Sequence, residues 1–223
     1  MQKMVKRMEN KTNKTKDINS RAIAAIKIAW DIFSKKVGGG IIQVNKEASM
    51  QLHFAYVLQQ IMPLIYFKND ERIDIELETS ISDGQRNREA DIIVTVHKGD
   101  AVFKIAMELK CYRKLSSSGG NRGATDIFMK DIYQDLHLLE RYCESGGADY
   151  GIGLVMTDHK YFIHAEKKEG KCWAYDTTHG TVAGNARYTT PIGGKPVDIH
   201  LKNEYYFNWS SEGDYFFALL EKM

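Results

Sequence analysis

Asp91, Glu108 and Lys110 are the residues of this 223-residue chain whose types and spacing point most directly to chemistry. Residues 101–111 (AVFKIAMELKC) read as a strand, and side chains two apart on a strand share a face, so Glu108 and Lys110 project together. That face runs back through Ala106, Lys104 and Val102, while Phe103, Ile105, Met107, Leu109 and Cys111 make the opposite face wholly apolar. Residues 90–96 read as the preceding strand, joined through His97-Lys98-Gly99-Asp100. A Lys98-Gly99 turn, or a four-residue loop pairing Val96 with Ala101, sets Asp91 opposite Ala106. Opposed residues share a sheet face, so Asp91, Glu108 and Lys110 are expected to converge across the small Ala106. Two carboxylates beside an ammonium suit Mg²⁺, which takes one or two protein carboxylates plus substrate phosphate. Such a metal polarises a phosphate and generates hydroxide from water. The lysine would orient that water or stabilise developing negative charge. The same alternation also describes a solvated strand face with a cross-strand ion pair. The apolar opposite face and the hairpin parity favour the site.

Several elements must position these residues. Residues 1–17 are polar, basic and aperiodic, and read as a flexible basic arm leading into one α/β domain over 18–223. Ser20 is expected to cap a first helix in which Ile23, Ile26, Ala29, Trp30 and Phe33 fall at helical spacing, closed by Gly38-Gly39-Gly40. Asn45 is expected to cap a second helix with a stripe of Leu52, Ala55, Leu58 and Ile61. Ile73, Ile75 and Leu77 alternate with acidic residues over 72–78, a half-buried strand, and Asp83-Gly84 marks a turn. The first three strands therefore form a meander. After a Gly/Ser-rich loop at 116–124, a third helix starts at Thr125 or Asp126 with Phe128, Ile132, Leu136, Leu139 and Tyr142 on one side. Residues 150–156 form a fourth strand; 171–176 and 197–209 are expected as strands, and 214–222 as a terminal helix.

The Ala90-Asp91 pair, followed by Glu108-Leu109-Lys110 at the end of the next strand and then a helix, resembles the PD-(D/E)xK nuclease superfamily. That family's core is a helix, a three-strand meander, a helix and a strand, which is the order read here over residues 45–157. The resemblance implies an α/β fold with a restriction-endonuclease-like core, a central mixed sheet (antiparallel meander plus further strands) flanked by helices. It implies a Mg²⁺-dependent DNA endonuclease, with Mn²⁺ able to substitute, of restriction-like or phage and mobile-element type. Asp91 and Glu108 would then be metal ligands and Lys110 the catalytic lysine. Many members place a glutamate in the helix before the meander; Glu47 fits that role, with Gln51 one turn on, while Glu76 and Glu78 compete for it. Ala90 stands where the motif has proline.

Lys130 and Gln134 lie one turn apart on the third helix, off its apolar stripe, as candidate phosphate contacts. Arg86, Arg88, Arg113, Lys114 and Arg122 flank the strand ends and are candidate grips on a DNA backbone, as is the 116–124 loop, which lacks a Walker A ending. His159 and His164 have no partner cysteines in register, so zinc is not expected. Cys111 falls on the apolar face as a buried thiol, and the aromatic C-terminus (Tyr205-Tyr206, Trp209, Tyr215-Phe216-Phe217) reads as core or subunit interface.

At 43% hydrophobic and 27% charged residues the composition is that of a globular protein and excludes wholesale disorder. No apolar run approaches a membrane span, and the first residues lack a signal-peptide core. Three cysteines without a CxxC pair suit a reducing, cytoplasmic setting. The net charge of +2 conceals an asymmetry: residues 1–40 carry ten Lys and Arg against three acids, a net of +7, and the remainder a net of −5. A basic arm on an acidic body suggests a polyanionic partner, which is DNA on this reading. Cutting both strands with one active site per chain favours a homodimer. The competing functions are a DNA-binding or assembly protein that keeps the fold without cleavage, and a hydrolase of small phosphoesters.

Overall fold

In the computed structural model, residues 17–115, 119–120, 122–123 and 125–223 are described; the expected basic arm at 1–16 and much of the 116–124 loop lie outside them. Helix α1 spans Ile18–Gly38 and starts two residues before the expected Ser20 cap. Asp17 caps it, its Oδ1 accepting from the Ser20 N–H at 2.8 Å, so Asp17 belongs to the helix start. Helix α2 spans Glu47–Ile61, with Lys46 and not Asn45 at the cap. The Ser49 hydroxyl accepts from the Asn45 and Lys46 N–H groups at 3.0 and 3.1 Å, which makes Glu47 the first helical residue.

The meander follows as β1 (Glu71–Ser82), β2 (Asn87–Lys98) and β3 (Ala101–Tyr112). Helix α3 (Thr125–Glu144) leads into β4 (Tyr150–Thr157). Strands β5 (Val182–Tyr188) and β6 (Ile199–Tyr206) form a separate two-stranded sheet, and β7 (Ser210–Glu212) and β8 (Tyr215–Leu220) complete the main one. The six-stranded order is β1-β2-β3-β4-β8-β7. Only β3 and β4 run parallel, because the α3 crossover lies between them; the other neighbours are antiparallel. The result is an α/β fold with a mixed sheet flanked by helices.

Each sheet face carries a hydrophobic core. On one side α1 and α2 pack Trp30, Phe33 and Phe54 against Phe217 of β8, with ring centroids 5.4–6.4 Å apart. On the other, the expected α3 stripe of Phe128, Ile132, Leu136, Leu139 and Tyr142 is buried. The helix lies close to β4 because Gly151 has no side chain: a Cβ there would sit 2.9 Å from the Leu139 Cβ. Buried Glu140 fastens α3 to β6, accepting from the Lys202 and Asn203 N–H groups at 2.8 Å and from the Tyr205 hydroxyl at 3.1 Å.

Two expected elements differ. Residues Lys171–Tyr175 form a 3₁₀ helix and not a strand. Residues 214–222 hold strand β8 instead of a helix, since a strand buried on both faces reads as the continuous apolar run YFFALL, which periodicity cannot separate from a short helix. The C-terminal aromatics are mainly core: Tyr205, Trp209 and Phe217 are buried, and Tyr206 remains exposed. Cys111 is buried in the α1/α2 core, and burial pushes its thiol up to about 12. No helix among the described residues is long and apolar enough to cross a membrane.

Candidate active site

The β2–β3 hairpin turns at Gly99-Asp100, with Lys98 paired to Ala101, so the expected register is displaced by two residues. Ile93, not Asp91, opposes Ala106. The same register sets Asp91 against Glu108; a two-residue displacement preserves the face, so the expected convergence survives the wrong turn. Continued through β1, the register sets Glu78 against Asp91. Glu78, Asp91 and Glu108 therefore occupy one row across three adjacent strands.

The sheet opens at this row. Pairing of β2 with β3 ends at Ile92 and Met107, while β3 continues alongside β4 as far as Tyr112. Glu78 interrupts the β1–β2 ladder and has a left-handed backbone, φ +49°, rare for a residue with a side chain. Ile73 and Ile75 before it pack in the α1/α2 core, but Ile81 after it packs in the α3 core, although all three are odd-numbered residues of one strand. Strand β2 switches in parallel, with Ile92 on the α1/α2 side and Ala90 on the α3 side. The ribbon thus exchanges its faces at Glu78 and Asp91, and local strain of this kind accumulates at functional sites.

Side chains from α2 and α3 fill the opening. Gln51 of α2 donates to Glu78 Oε1 and to the Asp91 carbonyl, both at 2.7 Å, bridging the interrupted ladder. Asp91 Oδ2 accepts from the Leu109 N–H at 2.6 Å, which fixes the carboxylate across the gap. Glu47 Oε2 lies 3.3 Å from the Cys111 N–H and 3.4 Å from Lys110 Nζ. From the opposite side Asp135 brings Oδ2 to 3.1 Å from Lys110 Nζ, an ion pair without a directed hydrogen bond, leaving that buried oxygen with no hydrogen-bond partner. Tyr142 donates to Glu108 Oε1 at 3.0 Å. Asp135 and Tyr142 are seven residues apart on α3 and engage Lys110 and Glu108, two apart on β3, so one helix face holds both ends of the Glu-Leu-Lys segment.

The electrostatics follow from five carboxylates, Glu47, Glu78, Asp91, Glu108 and Asp135, and one ammonium. Burial lifts the Asp91 carboxyl to about 6; the Leu109 N–H opposes that rise, and Glu47 and Glu78 add to it. Burial also raises Glu108, helped by the charges of Asp135 and Asp91. Asp135 is raised by burial despite Lys110. Burial alone would lower the Lys110 ammonium, but Asp135 and Glu47 outweigh it and hold it above its ordinary value. Asp135 and Glu47 thus hold Lys110 in its ammonium form.

The donor set fits a hard divalent ion. Among the described residues no group of three or more His, Cys, Asp and Glu side chains is placed to hold a metal ion. Mg²⁺ requires only one or two protein carboxylates when water and phosphate supply the rest. Asp91, Glu108 and Glu47 offer oxygen donors, and the negative charge left over by Lys110 is what a cation would neutralise.

The remaining expected residues divide into three groups. Gln51 and Arg113 are committed internally: Gln51 as above, and Arg113 to Asp158 at 2.8 Å, to the Val44 carbonyl and over the Tyr215 ring. Lys130 pairs with Asp131, and Arg122 reaches the Asn45 carbonyl at 3.5 Å. Arg86 and Lys114 are exposed, and Gln134 and Arg88 line a common cleft. Sequence reasoning missed Asp135 and Tyr142; both lie on α3, and the only available signal was a carboxylate one residue beyond Gln134. The chain matches no protein-family model, no curated protein and no solved structure.

Proposed function

We propose that this protein is a metal-dependent nuclease that hydrolyses DNA phosphodiester bonds, with a restriction-endonuclease-like core. The observation that carries the proposal is the opening of the sheet at Asp91 and Glu108, with Lys110 held beside them by two further carboxylates. A salt-bridged surface strand would need neither the break in the ladder nor the buried carboxylate surplus.

Asp91 and Glu108 would hold Mg²⁺, with Glu47 assisting at the ion and water and phosphate completing its shell. When bound, the ion polarises the scissile phosphate and lowers the pKa of its water. The Leu109 N–H aims one Asp91 oxygen into the sheet and leaves the other for the ion. Tyr142 does the same for Glu108. Lys110, fixed between Glu47 and Asp135, presents a permanent positive charge to the water and to the negative charge that develops on the phosphate. The positively charged first 40 residues and exposed Arg86 and Lys114 would attract the polyanion.

Supercoiled and linear DNA incubated with the protein in Mg²⁺, Mn²⁺ or EDTA provides the test. Nicking or linearisation in either metal, abolished by EDTA, is the expected result. DNA binding without cleavage in any metal would favour a non-enzymatic role for the same fold.

A further inference from the structure

A second constellation lies beside the acidic row. The β1–β2 turn, the second half of α3 and the start of β6 enclose a cleft of about 370 Å³, lined by Asp83, Arg88, Gln134, His137, Arg141 and His200 among others. Its two guanidinium groups are anchored, among the described residues, through their Nε atoms: Arg88 Nε to Asp83 Oδ2 at 2.8 Å and Arg141 Nε to the Asp83 carbonyl at 3.0 Å. Among the described residues no hydrogen bond engages their Nη atoms, and Arg141 Nη2 packs beside Gly84. His137 Nδ1 lies 2.9 Å from the His200 carbonyl, an acceptor only, which leaves His137 Nε2 uncommitted. The Gln134 amide has no protein partner among the described residues.

Both carboxylates in the cleft are already occupied. Asp83 takes Arg88 and the N–H groups of Gln85 and Arg86 at 2.8 and 2.9 Å, and these donors, Arg88 first, hold its carboxyl far below the ordinary range. Asp198 at the rim is paired with Arg187 through two contacts at 2.7 and 2.8 Å. What remains are two anchored guanidinium forks and the Gln134 amide, and His137 Nε2 becomes a further donor only in the imidazolium form. Forked guanidinium donors match phosphate oxygens in particular.

The position adds to the argument. Gln134 adjoins Asp135 and Arg141 adjoins Tyr142, the two α3 residues that hold Lys110 and Glu108. Arg88 precedes Asp91 by three residues on β2, roughly 10 Å at strand rise. That separation spans about one to two nucleotide steps, since successive phosphates wind around the axis and lie farther apart than the ~3.4 Å rise. Arg88 shares this side of the sheet because the ribbon exchanges faces at Glu78 and Asp91.

We infer that the Arg88–Arg141–His137–His200 cleft binds a phosphate group of the strand whose scissile bond lies at Asp91 and Glu108. Assigning the phosphate to a nucleic-acid strand rests on the proposed nuclease function; the affinity of the cleft for phosphate does not. The group is a strand's terminal phosphate or an internal phosphodiester, both offering the same oxygens.

The test uses the whole chain in EDTA, so cleavage plays no part. Inorganic phosphate titrated into the protein is expected to shift the ring resonances of His137 and His200 saturably. Short single strands with and without a 5′-phosphate are then compared by fluorescence anisotropy for wild type, Arg141→Met and His200→Ala. Arg141→Met should weaken binding about tenfold and His200→Ala severalfold; thermal melts identify any variant that fails to fold, and His200→Ala, which removes no anchoring bond, covers loss of Arg141→Met. Preference for the phosphorylated strand identifies the terminal phosphate, and equal binding lost equally in the variants identifies the internal one. Absence of a saturable shift, or unchanged affinity in folded variants, overturns the inference. Phosphate binding without cleavage would retain the cleft and reject the nuclease; cleavage without phosphate binding would do the reverse.

Discussion

Replacing Asp91 by Asn should stabilise the protein at pH 8 while disabling it. The side chain is isosteric with a protonated aspartate and still offers an oxygen to the Leu109 N–H. In the wild type the folded-state pKa is raised from 3.8 to about 6, so the folded chain binds protons that the unfolded chain has released between those values. Stability contributed by this group is therefore fully present below the ordinary aspartate pKa and lost as pH rises through about 6. The difference between the two values amounts to about 3 kcal/mol at pH 8. The opposing contribution of the Leu109 bond is already contained in that difference. A chain of this length gains roughly 2–4 °C in Tm per kcal/mol, so Asp91→Asn should melt roughly 6–12 °C higher at pH 8. At pH 4 the gap should shrink to roughly 1–2 °C, because the folded wild type is neutral there and only the unfolded chain is partly ionised. Thermal melts by circular dichroism from pH 4 to pH 9 in EDTA measure this directly. Added Mg²⁺ should raise the wild-type Tm at pH 8 and leave the variant nearly unchanged, as expected of a ligand that binds only the native site. Equal or lower stability of the variant at pH 8, or the same gap at pH 4, would refute the claim that Asp91 is held charged at a cost.

Further expectations concern the neighbours. Tyr142→Phe removes the hydroxyl bonded to Glu108 and should cost about 1–2 kcal/mol and weaken Mg²⁺ binding, measured by chemical denaturation and calorimetric titration. Gly38→Ala should lower Tm by several degrees, since its Cβ would lie 2.5 Å from the Glu212 carbonyl carbon and oxygen; an unchanged Tm would contradict the contact between α1 and β7. Deleting residues 1–16 should reduce the slope of log affinity for DNA against log salt by about 0.9 for each lost phosphate contact. An unchanged slope would remove the arm from the interface.

The meander was legible because β1 and β3 alternate apolar with polar or small residues, and hydrophobic period specifies face, while β2 reads as a short β-branched run. Face parity also tolerated an error in the turn: Gly99-Asp100 and Lys98-Gly99 differ by two in register, and side chains return to the same side every two residues. The second face of the site was not legible. Asp135 stands among other polar residues of the helix, Lys130, Asp131, Gln134 and Arg141, and nothing local distinguishes a carboxylate aimed at Lys110 from one aimed at solvent. The exchange of faces at Glu78 was equally hidden, because it depends on a left-handed backbone at a residue type that does not favour one. Strand β8 was misread for a different reason: burial on both faces erases the alternation by which strands are recognised.

The central claim is that Asp91 and Lys110 perform metal-dependent phosphodiester hydrolysis, and plasmid cleavage by single-substitution variants tests it most directly. Wild type, Asp91→Ala and Lys110→Ala are compared on supercoiled DNA in Mg²⁺ at pH 8, with melts and DNA-binding isotherms confirming that each variant is folded and engages DNA. Cleavage by the wild type, with a loss of at least about a hundredfold in both variants, is the predicted result. Cleavage that persists in both variants, or a wild type that binds DNA and leaves it intact in every metal, would contradict the account.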